Sequence, residues 1–222
     1  MSLGPDVDRT RLPRGTHGLD RSTVENSQRY RMMWSVLESV ADRGYATTTV
    51  AHIVADAGVS RRTFYQFFSD RDDCFAAAYD EAVNYVIAVL AKAGTAAPRT
   101  DWRNLIHATL AEYLQILTEH TKFAKALHIE ALAAGPRVAR QRATLKKIFA
   151  DRMRAAFEIG RATGDIPADI PPETFDFLIG GIDDRIRDRL LSSHPADLPT
   201  LTPLLYRITL SLFGIPESNQ VT

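Results

Sequence analysis

Residues 47–75, TTTVAHIVADAGVSRRTFYQFFSDRDDCF, constrain the fold more than any other part of the chain. Two short segments of helical apolar period meet there at a single Gly-Val hinge. Val50, Ile53, Val54 and Ala57 recur at i, i+3, i+4 and i+7, one face of a helix. Thr48 stands where a side-chain oxygen can cap the free N–H groups of its first turn. Gly58 supplies the left-handed residue that ends it, and Val59 is an apolar turn residue. Ser60 then caps a second helix whose Phe64, Phe67 and Phe68 turn back onto the first. The spacing predicts a helix-turn-helix, with Arg61, Arg62, Thr63, Tyr65 and Gln66 left facing outward.

That outward set suits a major groove, where arginine reads guanine, glutamine reads adenine and hydroxyls reach phosphate. A merely solvated face has no need of an aromatic hydroxyl beside its arginines. An ordinary helical hairpin with a polar exterior has the same spacing, however, so the pattern alone leaves both readings open.

The run Gly44-Tyr45, Thr48, Val50, Ile53, Ala57-Gly58-Val59-Ser60, Thr63-Phe64-Tyr65, Phe67-Phe68, Arg71 and Phe75 resembles the N-terminal DNA-binding domain of the tetracycline-repressor (TetR) family of transcriptional regulators. The likeness covers about fifty residues and is specific. It implies an all-α protein: a three-helix DNA-binding domain with a helix-turn-helix, followed by a larger helical ligand-binding and dimerisation domain. By matching positions it assigns Thr48, Ser60, Arg61, Arg62, Thr63, Tyr65, Gln66 and Arg71 to DNA. Arg62, Thr63 and Gln66 would lie nearer the base edges, and Thr48, Tyr65 and Arg71 would hold phosphates. Two positions depart from the family pattern: Ala51 stands where a basic residue is common, and Val54 replaces a usual alanine.

Charge decides what kind of DNA binding is open to the chain. Its 27 basic and 27 acidic residues cancel, and residues 20–71 hold seven arginines against six acids. Bulk attraction to a polyanion is therefore weak, and affinity has to come from placement. The 45% hydrophobic content of 222 residues suffices for a substantial core. Cys74 is the only cysteine, so no intramolecular disulfide or thiolate metal cluster forms; next to Phe75 it reads as a small buried hydrophobe. There is no run of about 18 apolar residues and the N-terminus is polar, which predicts neither membrane span nor signal peptide, and a cytoplasmic protein.

Along the chain, residues 1–26 read as a flexible arm, with Arg9, Arg11 and Arg14 able to enter a minor groove or simply to stay in solvent. Tyr30, Met33, Trp34, Leu37, Val40 and Ala41 mark an amphipathic helix over residues 28–43, ended by Gly44, and complete a DNA-binding domain over residues 27–72. The helical ligand-binding and dimerisation domain is expected over residues 73–222. It opens with a long helix through Phe75, Tyr79, Val86 and Leu90 to Gly94, capped by Ser69 or Asp70. Later helices carry Trp102 to Leu117, Phe123 to Leu132, and Val138 to Ile159. Pro167, Pro171 and Pro172 mark a linker before the last two.

Those last helices present Phe175, Ile179, Ile182 and Ile186, with Gly180-Gly181 permitting close approach, and Leu201, Leu205, Ile208 and Leu212 at coiled-coil-like steps. Such faces bury against their own domain or against a twin. The resemblance implies the twin, a homodimer built on a four-helix bundle.

The sequence carries no enzyme signature: no nucleophile elbow, no phosphate loop, and no paired histidines among His52, His107, His120, His128 and His194. Neither a metal nor a cofactor is expected. The cluster from Asp183 to Arg189 reads as helical ion pairs. The resemblance implies a pocket for an unknown small-molecule effector, with Trp102, Tyr113, Phe123, His128, Phe149, Met153 and Phe157 as candidate lining, although each of them also suits a plain core. The favoured expectation is a one-component regulator, a repressor released by the effector from a palindromic double-stranded operator. The alternative is a helical ligand-binding or protein-interaction module with little DNA affinity. A salt series on duplex binding separates the two.

Overall fold

The computed structural model describes residues 21–93, 101–167, 169–192 and 195–215. Arg9, Arg11, Arg14, the break at residues 94–99 and His194 lie outside the described residues. Those described form nine α-helices and two 3-10 stretches, with no strand. The protein is all-α, as the periodicity predicts.

They fall into two compact units. One holds the residues up to Tyr85 together with Lys122–Gln141; the other holds Val86–Thr121 and the residues from Arg142 onward. The compact units therefore do not follow the linear division after residue 72. Helix continuity is the reason: a long helix carries the chain out of the first unit, and residues 122–141 return to it.

In the first unit, α1 spans Arg21–Arg43, α2 Val50–Ala57 and α3 Arg61–Phe67. The helix begins well before residue 27, so the final six residues of the expected arm are its first turns. Its buried side chains, Met32, Met33, Val36, Leu37 and Val40, occupy more than one stripe. That follows from where α1 sits, since it packs on α2 and α3 while its Met32 carbonyl accepts the Cys74 thiol at 3.7 Å from the next helix, α4 (Arg71–Ala93). Cys74 is fully buried, and that burial pushes its thiol well above the usual range. Asp70 caps α4, its Oδ1 accepting the Asp73 N–H at 2.7 Å.

By length and composition α4 is apolar enough to cross a membrane. Its apolar residues Phe75, Ala78, Tyr79, Ala82 and Val86 are instead buried within the protein, and Asp80 and Glu81 interrupt the run. Helix α6 (Thr121–His128), a 3-10 turn (Glu130–Leu132) and the start of α7 (Gly135–Ala162) complete this unit.

The second unit holds α5 (Trp102–Glu119), the rest of α7, α8 (Glu173–Leu191), a 3-10 stretch (Pro195–Leu201) and α9 (Thr202–Leu212). The expected seam from Leu198 to Leu212 thus changes helix type partway, because Pro199 denies one of the backbone bonds that a continuous α-helix would need. Four rings build the core. Phe157 lies 5.1 Å from Phe213 and 5.7 Å from Phe175, and Trp102 lies 6.5 Å from Phe213. Gly160 admits this packing: a Cβ there would stand 2.6 Å from Ile166 and 2.9 Å from Trp102. Arg152 ties three helices, donating to the Thr109 hydroxyl at 2.9 Å and to the Leu90 carbonyl at 2.6 Å.

Candidate nucleic-acid interface

Helix α3 is seven residues long, too short to hold itself together in water, so its geometry comes from its ends and its buried face. Ser60 caps it, its hydroxyl accepting the Thr63 N–H at 3.0 Å and lying 2.9 Å from the Thr63 hydroxyl. Phe64 is wholly buried and packs 5.6 Å from Phe68. Phe68 has left the helix in extended backbone and turns inward, whereas Phe67, expected inside, is half-buried. One turn of helix cannot aim both neighbouring rings at the same core. Gly58, at φ +62°, ends α2 and sets the angle between the two helices.

With Phe64 as anchor, Ser60, Arg61, Arg62, Tyr65 and Gln66 are exposed and Thr63 is half-buried. Tyr65 is 58% exposed, a large aromatic left in solvent beside two arginines. Cations, an amide and a phenol on one short outward helix match the donors that duplex DNA accepts.

Two predicted contacts are placed otherwise. Thr48 is buried, its hydroxyl donating to the Gly44 carbonyl at 2.9 Å, and so it is unavailable to a phosphate. The cap of α2 is Thr49, whose hydroxyl accepts the His52 N–H at 3.3 Å while His52 Nδ1 accepts the Thr49 N–H. Three consecutive threonines hid this in the sequence, and a histidine in place of the usual Glu or Gln disguised the capping box. Arg71 points into its own unit. One nitrogen donates to the carbonyls of Tyr45 and Thr48 at 2.7 and 3.0 Å, and the others bind Asp72 at 2.6 and 2.7 Å. It holds the turn rather than reaching outward. Ala51 is exposed and leaves the first turn of α2 without a cation.

Further bonds fix α2 against α1. Arg31 donates to the Ala57 carbonyl at 2.8 Å, and Ser39 donates to Asp56 at 2.9 Å. Sequence reading also missed a set of residues far along the chain. Glu130 accepts the Tyr45 N–H at 2.7 Å, Lys122 meets Asp42 at 2.6 Å, and Arg137 meets Asp73 at 2.7 Å. The Arg137 hydrogen bond holds the Asp73 carboxyl below its usual range, and Asp42 raises Lys122. Lone polar residues on distant helices give no local cue to such partners.

The seven candidate ligand-lining residues are all buried. Phe123 and His128 belong to the first unit; Trp102, Tyr113, Phe149, Met153 and Phe157 belong to the second. Tyr113 packs on Phe149 at 4.7 Å, and Trp102 and Phe157 join the four-ring core. A cleft of about 370 Å³ is lined by other residues, among them Lys146, Lys147, Arg154 and Asp176. Among the described residues no group of acids, histidines and cysteines is arranged to hold a metal.

Of the candidate dimer residues, Phe175, Ile179, Ile182, Ile186, Leu201 and Leu205 are buried in their own unit. Ile208 is 43% exposed and Leu212 half-buried. Phe177, at 74% exposed, and Leu204 are left outside on the same helices. A groove of about 220 Å³ runs between α8 and α9, lined by Phe177, Gly181, Ile182, Leu205, Ile208 and Leu212. Among the described residues, none closely approaches Gly180 or Gly181.

Residues 37–78 match the family described as bacterial regulatory proteins, tetR family. No curated protein matches the chain. Among solved structures the chain is similar to the fatty acid degradation regulator FadR of Bacillus halodurans (TM-score 0.73, 15% identity, 82% of this chain and 94% of that one). It is similar also to FadR of Bacillus subtilis in complex with stearoyl-CoA (0.73, 16%, 82% and 97%). A third is SmeT, repressor of the Stenotrophomonas maltophilia multidrug efflux pump SmeDEF (0.67, 19%, 82% and 88%). At these identities the likeness is one of fold. The matched segment, by contrast, runs from α1 into α4 around the outward-facing α3, so residues 37–78 carry the segment described for bacterial regulatory proteins of the tetR family.

Proposed function

We propose that the chain is a homodimeric repressor, released from a palindromic operator by a small molecule. The observation that carries this is α3: Phe64 buried beneath it, with Arg61, Arg62, Tyr65 and Gln66 exposed. Arg62, Thr63 and Gln66 reach base edges, and Ser60, Arg61 and Tyr65 hold phosphates. Thr48 and Arg71 serve this site indirectly, by fixing the turn that presents it. Working on DNA, the protein is cytoplasmic.

Dimerisation through α8 and α9 is supported by the apolar side chains left exposed there, Phe177 and Ile208 above all. A two-fold pair of reading helices about 34 Å apart requires a palindromic site. An effector that binds better to a dimer with another spacing lowers DNA affinity by linkage. Stearoyl-CoA in one structural neighbour supports a small-molecule effector, as does a drug-efflux repressor among the others.

The test is selection of duplexes from a random pool by the purified chain. The expected result is an enriched palindrome, with Arg62→Ala weakening binding to it by about 1–3 kcal/mol, tenfold to a hundredfold, while leaving thermal stability unchanged. Enrichment of no sequence at low salt, or wild-type affinity in Arg62→Ala, overturns the reading.

A further inference from the structure

We propose that Glu130 is a positioning residue for the DNA-reading helices, acting through the backbone of the turn between α1 and α2. Its carboxylate oxygen accepts the Tyr45 N–H at 2.7 Å across 85 residues of sequence. The same oxygen lies 3.8 Å from where a Cβ on Gly44 would stand, and Gly44 is at φ +86°. A side chain at that position would therefore strain the backbone, while its Cβ would meet the carboxylate at ordinary van der Waals distance.

The turn is held at both electrical poles. Glu130 takes an N–H at its start, and Arg71 gives N–H bonds to the carbonyls of Tyr45 and Thr48. An anion on the donor and a cation on the acceptors are each the stronger, charge-assisted kind of hydrogen bond. The next residue, Thr49, caps α2, so the direction in which α2 leaves the turn depends on both clamps. Helix α3 follows after one left-handed glycine and two further residues.

Glu130 is not an isolated contact. The segment that carries it is pinned on either side: Lys122 to Asp42 near the end of α1, Arg137 to Asp73 and Gln141 to the Ala76 carbonyl in the first turns of α4. Residues 122–141 thus act as a bracket on the reading head, with Glu130 the member that touches the turn feeding the recognition helix. They connect by chain to the second unit at both ends, through α5 and through the remainder of α7.

This inference rests on the DNA reading above, and its test separates the two. The full chain and its Glu130→Ala and Glu130→Gln variants are titrated with the duplex enriched by the wild type, and amide exchange is followed at Tyr45. Glu130→Ala is expected to bind about tenfold more weakly, Glu130→Gln to fall between, since an amide oxygen still accepts the bond, and Tyr45 exchange to quicken in the same order. The slope of log affinity against log salt stays at its wild-type value, because no phosphate contact is lost. Wild-type affinity in both variants overturns the inference and leaves the DNA reading standing, and so does weakened binding without faster Tyr45 exchange. A changed salt slope also overturns it, as the mark of direct phosphate contact. If the wild type enriches no duplex, both fall.

Discussion

The Arg71 guanidinium lies 4.3 Å from the centre of the Tyr45 ring and donates to the Tyr45 carbonyl at 2.7 Å, so a cation at the head of α4 grips one residue by both its side chain and its backbone. A ring face attracts a flat cation, and the carbonyls of the turn take the protons the ring leaves free. Arg71 is thereby a structural clasp of the reading head.

Replacing Arg71 with Lys keeps the charge but loses the flat fork that spans two carbonyls and the ring. The expected cost is about 2 kcal/mol of stability, read from urea unfolding. The salt slope of duplex binding should not change; a slope reduced by about one would mean that Arg71 holds a phosphate after all.

Tyr45 should titrate late. Burial, and then a hydrogen bond with Asp72, push its phenol up to about 12, with Arg71 opposing. The folded value lies above the unfolded value of about 10, so the stabilisation is complete below pH 10 and is lost as pH climbs towards 12. Stability measured across that window should fall more steeply for the wild type than for Tyr45→Phe, which has no proton there to lose. Equal slopes would refute the shift.

Thr49, not Thr48, caps α2. Thr49→Ala should lower stability by about 1 kcal/mol, and Thr49→Ser should restore most of it, because the serine hydroxyl accepts the same His52 N–H. An unchanged urea midpoint in Thr49→Ala would argue against the cap.

The dimer proposal separates two apolar sets on neighbouring helices. Phe177→Asp and Ile208→Asp place charge on exposed positions and should give a folded monomer in sedimentation equilibrium. Ile186→Asp, at a fully buried position, should fail to fold. A Phe177→Asp, Ile208→Asp double variant that remains dimeric would place the interface elsewhere.

Local chemistry was legible in the sequence wherever one residue type has one structural use. Gly58 had to end a helix, Ser60 had to start one, and Phe64 had to lie beneath it, which leaves Arg61, Arg62, Tyr65 and Gln66 outside; each of these follows from periodicity and from capping. The α-helical class and most helix boundaries are readable for the same reason. What failed were choices among equivalents. Any of three threonines could cap α2, and an arginine in a first turn looks the same whether it faces a phosphate or a carbonyl.

Only the tertiary structure made those choices, because they depend on partners far apart in sequence. Hydrophobic period fixes which face of a helix leaves water, a local property of 3.6 residues per turn. Which polar group meets which is set by the packing of several helices at once. Sequence alone therefore determined an outward arginine-bearing reading helix on a buried phenylalanine, and the folded chain decided that Glu130 and Arg71, far apart in sequence, hold the turn that aims it.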